Sequence, residues 1–247
     1  TKRAYPVNSS IIDHMHSFCP HLDPAHCRGL QQTIDLSIVG FFWLLRPAEY
    51  LPSNSTGRSQ AFRLGDIAFQ TAESTLSALD TSLNDVDVNR ILRATLTFSD
   101  QKNAVKGEQI CHLATSHSRM CPVKALLRIS AHLRYHSAPA STPIYTYYDN
   151  SGHELHVTSS TITRVLRNSA QNLAHSTGIQ PHLITTRSLR PGGATALLCS
   201  GVDANTIQLL GRWKSDAMLR HLRVAAHAHT TNLAQGMLAA SDFTYAP

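Results

Sequence analysis

Residues 185–223 read TTRSLRPGGATALLCSGVDANTIQLLGRWKSDAMLRHLR. A compact helix start, Arg187 to Gly193, is followed by a short amphipathic run that ends at Gly211 and then by a second, basic helix. A guanidinium group presents a rigid fork of donors that matches two oxygens of a phosphate. The arginines of this stretch therefore predict a phosphate-binding surface, to which other parts of the chain must contribute.

The composition indicates a folded, basic protein. The chain has 247 residues, 42% of them hydrophobic, and a mean hydropathy of -0.16, which is enough for a large core. Disorder is therefore excluded as the main state. Lysine and arginine total 22 against 16 acidic residues, which gives a formal charge of +6. That balance permits a nucleic-acid partner without identifying one.

Cysteine usage and hydropathy bear on location. Five cysteines with no paired spacing argue against a disulfide framework and for a reducing compartment. No apolar run reaches the length of about 18 residues that a membrane helix requires, and no basic and apolar leader precedes Pro6. The sequence therefore predicts an intracellular protein, nuclear or cytoplasmic, with no membrane association.

A segment rich in histidine and cysteine, residues 14–27, reads HMHSFCPHLDPAHC. Its ligand spacing matches none of the common structural zinc patterns, and prolines interrupt it. We therefore interpret it as a helix end and a loop, and predict no metal and no other cofactor. A zinc-dependent regulatory domain is the alternative, which an elemental analysis that finds no metal would refute.

Apolar periodicity predicts a mainly helical protein. Helical spacing covers residues 28–45 and stops at Arg46-Pro47, because the residue before a proline is pushed out of helical geometry. A proline well suited to a first turn starts another helix over residues 121–136. A cap of threonine and serine starts a third over residues 158–177.

A small sheet is predicted between these helices. Residues 61–69, 89–98 and 106–113 have the β-branched and alternating content of strands. The last two flank residues 99–103, which predict a hairpin turn with Lys102 at its tip.

No internal repeat, heptad pattern, low-complexity tract or linker divides the chain. The simplest architecture is therefore a single domain over residues 1–247. Its predicted fold class is α+β, predominantly helical, with a small antiparallel three-stranded β-sheet.

Four pieces of the sequence share one known pattern. In order and spacing they resemble the catalytic domain of the tyrosine recombinase and phage-integrase superfamily, particularly eukaryotic mobile-element members of the Crypton-like type. The resemblance covers nearly the whole chain, and it implies that the amino-terminal DNA-clamp domain usual in the family is absent from this chain. The pieces are LLRPAEYL (44–51), TFSDQKNAVKGE (97–108), TTRSLRPGGATALL (185–198) and IQLLGRWKSDAMLRHL (207–222).

The resemblance implies a chemistry for these residues. In the family, a tyrosine oxygen attacks the scissile DNA phosphate and forms a covalent phosphotyrosyl link, while two arginines stabilise the charge on the nonbridging oxygens. The arginine positions fall on Arg46, with Glu49 as its companion, and on Arg190. Lys102 would protonate the departing 5′ oxygen. The indole N–H of Trp213 would donate to a phosphate oxygen.

Two positions depart from the family pattern. Arg187 stands where the family usually has histidine, which adds a permanent charge and removes a group able to shuttle protons near neutral pH. His221 stands at the position of the nucleophilic tyrosine and lacks its hydroxyl. The candidate catalytic residues are therefore Arg46, Lys102, Arg187, Arg190, Trp213 and His221.

The leading hypothesis is a DNA-binding, tyrosine-recombinase-like domain for strand cleavage and rejoining in recombination or integration, impaired at His221. Its partner would be duplex DNA. The alternative is a noncatalytic DNA-binding or assembly module that self-associates through its C-terminal helix. A relaxing activity like that of type IB topoisomerases is a third hypothesis, and it equally requires a tyrosine.

Overall fold

A computed structural model describes residues 5–19, 27–53, 59–99, 106–177 and 179–214. About half of these residues are helical. The α-helices are α1 (Ser9–His14), α2 (Arg28–Phe42), α3 (Pro47–Tyr50), α4 (Pro122–Tyr135), α5 (Ser159–Asn172), α6 (Ala174–Thr177), α7 (Leu189–Cys199) and α8 (Ala204–Gly211). The strands are β1 (Ile67–Gln70), β2 (Thr75–Ser77), β3 (Arg93–Phe98), β4 (Glu108–Leu113), β5 (Thr146–Tyr148) and β6 (Glu154–His156). Short 3-10 helices connect several of these elements.

Helix α2 forms the centre of the core. Every residue from Gln32 to Phe41 is buried, and helices α4, α5 and α7 pack against it. Its buried polar groups find partners close by. The hydroxyl of Ser37 donates to the carbonyl of Thr33 at 2.8 Å, and the amide of Gln32 donates to the carbonyl of Ile144 at 2.6 Å. Gln32 and Ser37 therefore occupy the core with their side chains hydrogen-bonded.

Helix α2 ends at Phe42, earlier than predicted, and Pro47 begins a new helix. Leu44 adopts a left-handed backbone with a φ of 52°, which turns the chain out of the helix. Arg46 is extended and caps α3, where Pro47 occupies the first turn. The Glu49 carboxylate accepts the backbone N–H of Arg46 at 2.7 Å. The prediction that Arg46 lies at the end of the long helix is therefore wrong, because it lies at the start of the short helix.

The main antiparallel sheet has four strands, in the order β2-β1-β3-β4, where three were predicted. The extra strand follows a tight turn at Thr71. The hydroxyl of Thr71 accepts the N–H groups of Glu73 and Ser74 at 3.2 and 3.1 Å. Such local bonds favour a turn over an extended chain. The chain therefore doubles back and adds a short edge strand, β2, which the sequence pattern did not predict.

The predicted hairpin of β3 and β4 is confirmed, with Phe98 opposite Glu108 at its end. Burial alternates along β3, as expected for a strand with one face on the core. Residues 100–105 lie outside the described residues, so the predicted position of Lys102 at the tip is untested. Residues 137–157 contain the two-stranded hairpin of β5 and β6.

Cys19 and Cys27 form a disulfide, which corrects the expectation that the cysteines are unpaired. A 3-10 helix, Met15–Phe18, ends next to the start of α2, and the two Cα atoms lie 6.5 Å apart. The spacing of the cysteines along the chain does not reveal this approach. The argument for a reducing compartment that rested on unpaired cysteines therefore fails. The free cysteines are Cys111, Cys121 and Cys199.

The described residues show neither a metal-binding cluster nor a membrane-spanning helix. Among them, no group of three or more histidine, cysteine or acidic side chains is arranged to hold a metal ion. His21 and His26 of the segment 14–27 lie outside the described ranges. None of the described helices combines the length and the apolar character needed to cross a bilayer.

Two glycines let α7 approach the core backbone. A Cβ at Gly192 would lie 2.1 Å from the carbonyl oxygen of Val7, and a Cβ at Gly193 would lie 2.1 Å from the carbonyl oxygen of Phe41. No side chain fits at these distances. The pair of glycines therefore brings α7 against the end of α2, and Arg190 in the first turn of α7 is placed near Arg46.

We expect Gly193→Ala to destabilise the fold by about 1–3 kcal/mol, because the added methyl group would force α7 away from the backbone of Phe41. Denaturant unfolding would measure the change in the free energy of unfolding. Ala196→Ser, at an exposed position of the same helix, is the matched control and should change stability little. Equal stability of the two variants would contradict the close approach.

Candidate functional site

The Glu49 carboxylate is the anchor of an arginine cluster, defined as Arg46, Arg190 and Arg212. The side chain of Glu49 is fully buried. Its Oε1 accepts from Nη1 of Arg46 at 3.0 Å, and its Oε2 accepts from Nη2 of Arg212 at 3.1 Å. One carboxylate thus holds guanidinium groups from two distant parts of the chain. A buried carboxylate needs such partners, because an unpaired buried charge is costly.

Arg212 is a member of the cluster that the sequence analysis missed. It follows α8 in a left-handed conformation, with a φ of 56°, and it is only 5% exposed. Its guanidinium group lies 4.1 Å from the ring centroid of Phe98 and also donates to the carbonyls of Trp43 and Leu44. Burial lowers the pKa of Arg212, and Glu49 opposes that shift. An arginine after a helix usually indicates a solvated charge, so only these long-range contacts identify it.

Trp43 connects the cluster to the sheet. Its backbone carbonyl accepts from Arg212, and its indole N–H donates to the carbonyl of Ile110 on β4 at 3.0 Å. The ring also packs edge-on against His112, with 4.6 Å between centroids. Burial lowers the pKa of His112 to about 4, so this histidine is neutral at physiological pH. The base of the β3–β4 hairpin is therefore fixed to the end of α2.

Arg190 is the most incompletely satisfied member of the cluster. It is 8% exposed, and its Nη2 donates to the carbonyl of Gly211. Its Nη1 is buried and has no hydrogen-bond partner among the described residues. The guanidinium group lies 4.1 Å from the ring centroid of Trp213, which fixes the plane of the donors. A buried donor without a hydrogen-bond partner destabilises the fold, unless a bound group accepts its hydrogen bond.

The electrostatics of the cluster favour an anion. Burial and the nearby charges of Arg46 and Arg212 together lower the pKa of Arg190 to about 9, and Glu49 opposes this shift. Glu108 on β4 acts on Arg212 as a second carboxylate. The three guanidinium groups therefore lie near only two carboxylates. Glu49 is in direct contact with Arg46 and Arg212, and Glu108 acts from farther away. The excess positive charge and the unpartnered Nη1 match a tetrahedral oxyanion such as phosphate.

The structure brings together three of the residues predicted from the sequence: Arg46, Arg190 and Trp213. Arg187 is exposed on the 3-10 turn Thr186–Ser188, one turn before Arg190. Its charge is not among those that shift the pKa of Arg190. Lys102 and His221 lie outside the described residues.

Comparisons with known proteins do not identify a family. No protein-family model matches the chain, and no curated protein matches it. Solved structures that match include the Tn1549 transposon integrase in complex with transposon right end DNA, with 13% identity, 95% of this chain and 67% of that chain covered, and a TM-score of 0.45. The XerA recombinase matches with 14% identity and a TM-score of 0.43, and the match covers 99% of this chain and 68% of the recombinase chain. TM-scores at this level do not establish membership of a family.

We expect the free energy of unfolding to rise with pH between about pH 8 and pH 10. The pKa of Arg190 is about 9 in the folded state, below its ordinary value, so the unfolded state binds more protons in this range and a higher pH favours folding. Above about pH 10, Tyr50 opposes the trend, because burial raises its pKa in the folded protein.

Denaturant titrations at a series of pH values would measure this rise in the wild type and in Arg190→Met. The variant removes the titrating group and should lose the rise, whereas Arg90→Gln, at an exposed position, should keep it. A rise of equal size in Arg190→Met would assign the effect to another group.

Proposed function

We propose that the arginine cluster binds a phosphate group of duplex DNA, and that the chain is a DNA-binding, tyrosine-recombinase-like domain. The observation that carries this proposal is the buried Arg190, whose Nη1 has no partner among the described residues and whose charge adds to that of Arg46. A phosphate supplies several acceptor oxygens and negative charge in one group. It would complete the hydrogen bonds and offset the repulsion between the arginines.

In this proposal the three arginines of the cluster have separate roles. Arg46 is held by Glu49 at the start of α3, with its side chain 27% exposed, so it can reach a ligand at the surface. Arg190 is fixed from behind by the Gly211 carbonyl and by the Trp213 ring. Arg212 is enclosed and holds Glu49. Two guanidinium groups therefore contact the phosphate in this proposal, and the third positions them.

The proposed chemistry includes strand cleavage in the ancestral reaction. A tyrosine oxygen would attack phosphorus, the bond to the 5′ oxygen would break, and Lys102 would supply the proton that the departing oxygen takes up. By resemblance this chain has His221 in place of the tyrosine. We therefore propose that cleavage is impaired. A Crypton-like origin, a single domain and a nuclear or cytoplasmic location belong to the same proposal and rest on the sequence alone.

The second candidate function is a noncatalytic DNA-binding or assembly module. It is favoured by the same replacement at His221, because phosphate binding by the arginine cluster needs no nucleophile. Self-association through the C-terminal helix would be part of this function. The two candidates share the DNA-binding surface and differ in whether a covalent bond forms.

We expect Arg190→Met to weaken duplex DNA binding by roughly 10-fold or more, because charge-assisted hydrogen bonds contribute about 1.5–3 kcal/mol. The slope of log K against log salt concentration should fall in magnitude by about 1, since one phosphate contact is lost. Fluorescence anisotropy with a labelled duplex at several salt concentrations would measure both quantities.

Arg90→Gln is the matched control for this experiment, because Arg90 is exposed and pairs with Glu73 at 2.9 Å, away from the cluster. It should leave binding almost unchanged. Equal losses in the two variants would mean that DNA binds through diffuse surface charge. In that case the arginine cluster would have another role.

We expect His221→Tyr to form a covalent adduct with a duplex nicked beside the cleavage site, because the variant restores the attacking hydroxyl. Denaturing gel electrophoresis would detect the protein–DNA link. Leu222→Tyr is the control for the register and should form no adduct. An adduct only with Leu222→Tyr would move the nucleophile position by one residue. DNA binding without an adduct in either variant would favour the noncatalytic module.

A further inference from the structure

A large cleft lies apart from the arginine cluster. It is formed by the start of α2, the last turns of α4 and the turn between β5 and β6, and its volume is about 1170 Å³. None of its described lining residues belongs to the arginine cluster. Pockets of several hundred cubic ångströms suffice for small organic ligands. The cleft is therefore large enough for a ligand of nucleotide size. The residues that line it determine which kind of ligand it can bind.

One end of the cleft is an aromatic shelf, defined as Tyr135, His136 and Tyr148. The rings of His136 and Tyr148 stack, with 4.5 Å between centroids and 23° between planes. Tyr135 packs edge-on against His136 and is 84% exposed, a high value for so large an aromatic side chain. Exposed aromatic faces of this kind stack well on planar bases of any sequence.

His132 holds the aromatic shelf in place as a neutral group. The backbone N–H of Tyr148 donates to Nε2 of His132 at 2.9 Å, so this nitrogen is an acceptor. Burial and the charges of Arg28 and His136 together lower the pKa of His132 to about 4. The ring is therefore uncharged at physiological pH, and the shelf has a fixed position on α4 and β5.

Another part of the cleft is cationic. Arg28 is the first residue of α2, and its Nε is buried without a partner among the described residues. Asp35 does not neutralise it directly, because the Asp35 carboxylate is held by Arg128, whose Nε donates to it at 3.0 and 3.2 Å. The positive end of the α2 dipole adds to the charge of Arg28. This part of the cleft therefore favours an anionic group.

The turn between β5 and β6 adds a negative charge to the cleft. The carboxylate of Asp149 accepts the N–H groups of Ser151 and His153, each at 2.9 Å, and these bonds lower its pKa. Asp149 therefore stays negative and repels an anion from its side of the cleft. An anionic group is directed to Arg28, and a planar uncharged group is left for the aromatic shelf.

We propose that this cleft binds a nucleotide, with the base on the aromatic shelf and the phosphate at Arg28 and the first turn of α2. A free nucleotide and a nucleotide at the end of a strand share this chemistry. The proposal does not rest on the function of the arginine cluster, because the two sites share none of the described residues.

Isothermal titration of the full chain with adenosine 5′-monophosphate tests the proposal. We expect saturable binding that Tyr135→Ala weakens at least about 5-fold, since stacking on one aromatic side chain has an effect of this size or larger. The exposure of Tyr135 means that its replacement should leave the fold intact. Arg28→Met should weaken the nucleotide but leave the weaker binding of adenosine, which lacks the phosphate, unchanged. Leu113→Ala, at an exposed position outside the cleft, is the control.

Arg190→Met separates the two sites. It should leave binding of adenosine 5′-monophosphate unchanged while it weakens duplex DNA. No saturable binding, or binding that is lost in Arg190→Met and kept in Tyr135→Ala, would overturn the proposal. A 5′-phosphorylated single-stranded oligonucleotide that displaces the nucleotide would support a strand end as the ligand. Binding of the free nucleotide without this competition would support a free nucleotide.

Discussion

The ion pairs of Glu49 are the interaction on which the candidate site depends. This carboxylate is fully buried between α3, the end of α8 and the end of α2, and it holds both Arg46 and Arg212. Without the carboxylate, the guanidinium groups would repel one another in a region that water barely reaches. The carboxylate of Glu49 thereby connects the start of α3, which carries Arg46, with the end of α8, which is followed by Arg212. The proposed recognition of phosphate would thus depend on a carboxylate whose contacts are with the guanidinium groups of Arg46 and Arg212.

Close backbone packing sets the distances around that carboxylate. The glycines at 192 and 193 allow α7 to lie against the carbonyls of Val7 and Phe41. This contact positions Arg190, which lies in the first turn of α7. Larger residues would separate the two arginine-bearing elements even if every charge were retained. Electrostatic attraction to an anion and the steric limits of the helix contact therefore act together in this site.

The sequence predicted those elements whose signals are local. Helices α4 and α5 lie within the predicted ranges 121–136 and 158–177, because a first-turn proline marks the start of α4 and a threonine cap marks the start of α5. The end of α2 was mispredicted because Leu44 takes a left-handed backbone that tertiary contacts stabilise. Two further features depend on the path of the chain. They are the strand β2, which follows a turn of hydroxyl residues, and the pairing of Cys19 with Cys27. Arg46 and Arg190 entered the candidate site through the resemblance of the sequence pieces that carry them, whereas nothing in the sequence indicated Arg212, since its burial follows from contacts with residues far away in sequence.

Trp43 places an evolutionary constraint on the chain. Its carbonyl is bound by Arg212 and its indole N–H by the carbonyl of Ile110, so the residue serves two elements at once. Phenylalanine at this position would fill part of the volume but lose the donor, and tyrosine would place its donor elsewhere. The side chain at position 43 is therefore constrained by strand β4, through the carbonyl of Ile110, whereas Arg212 binds a backbone carbonyl that any residue at this position would offer.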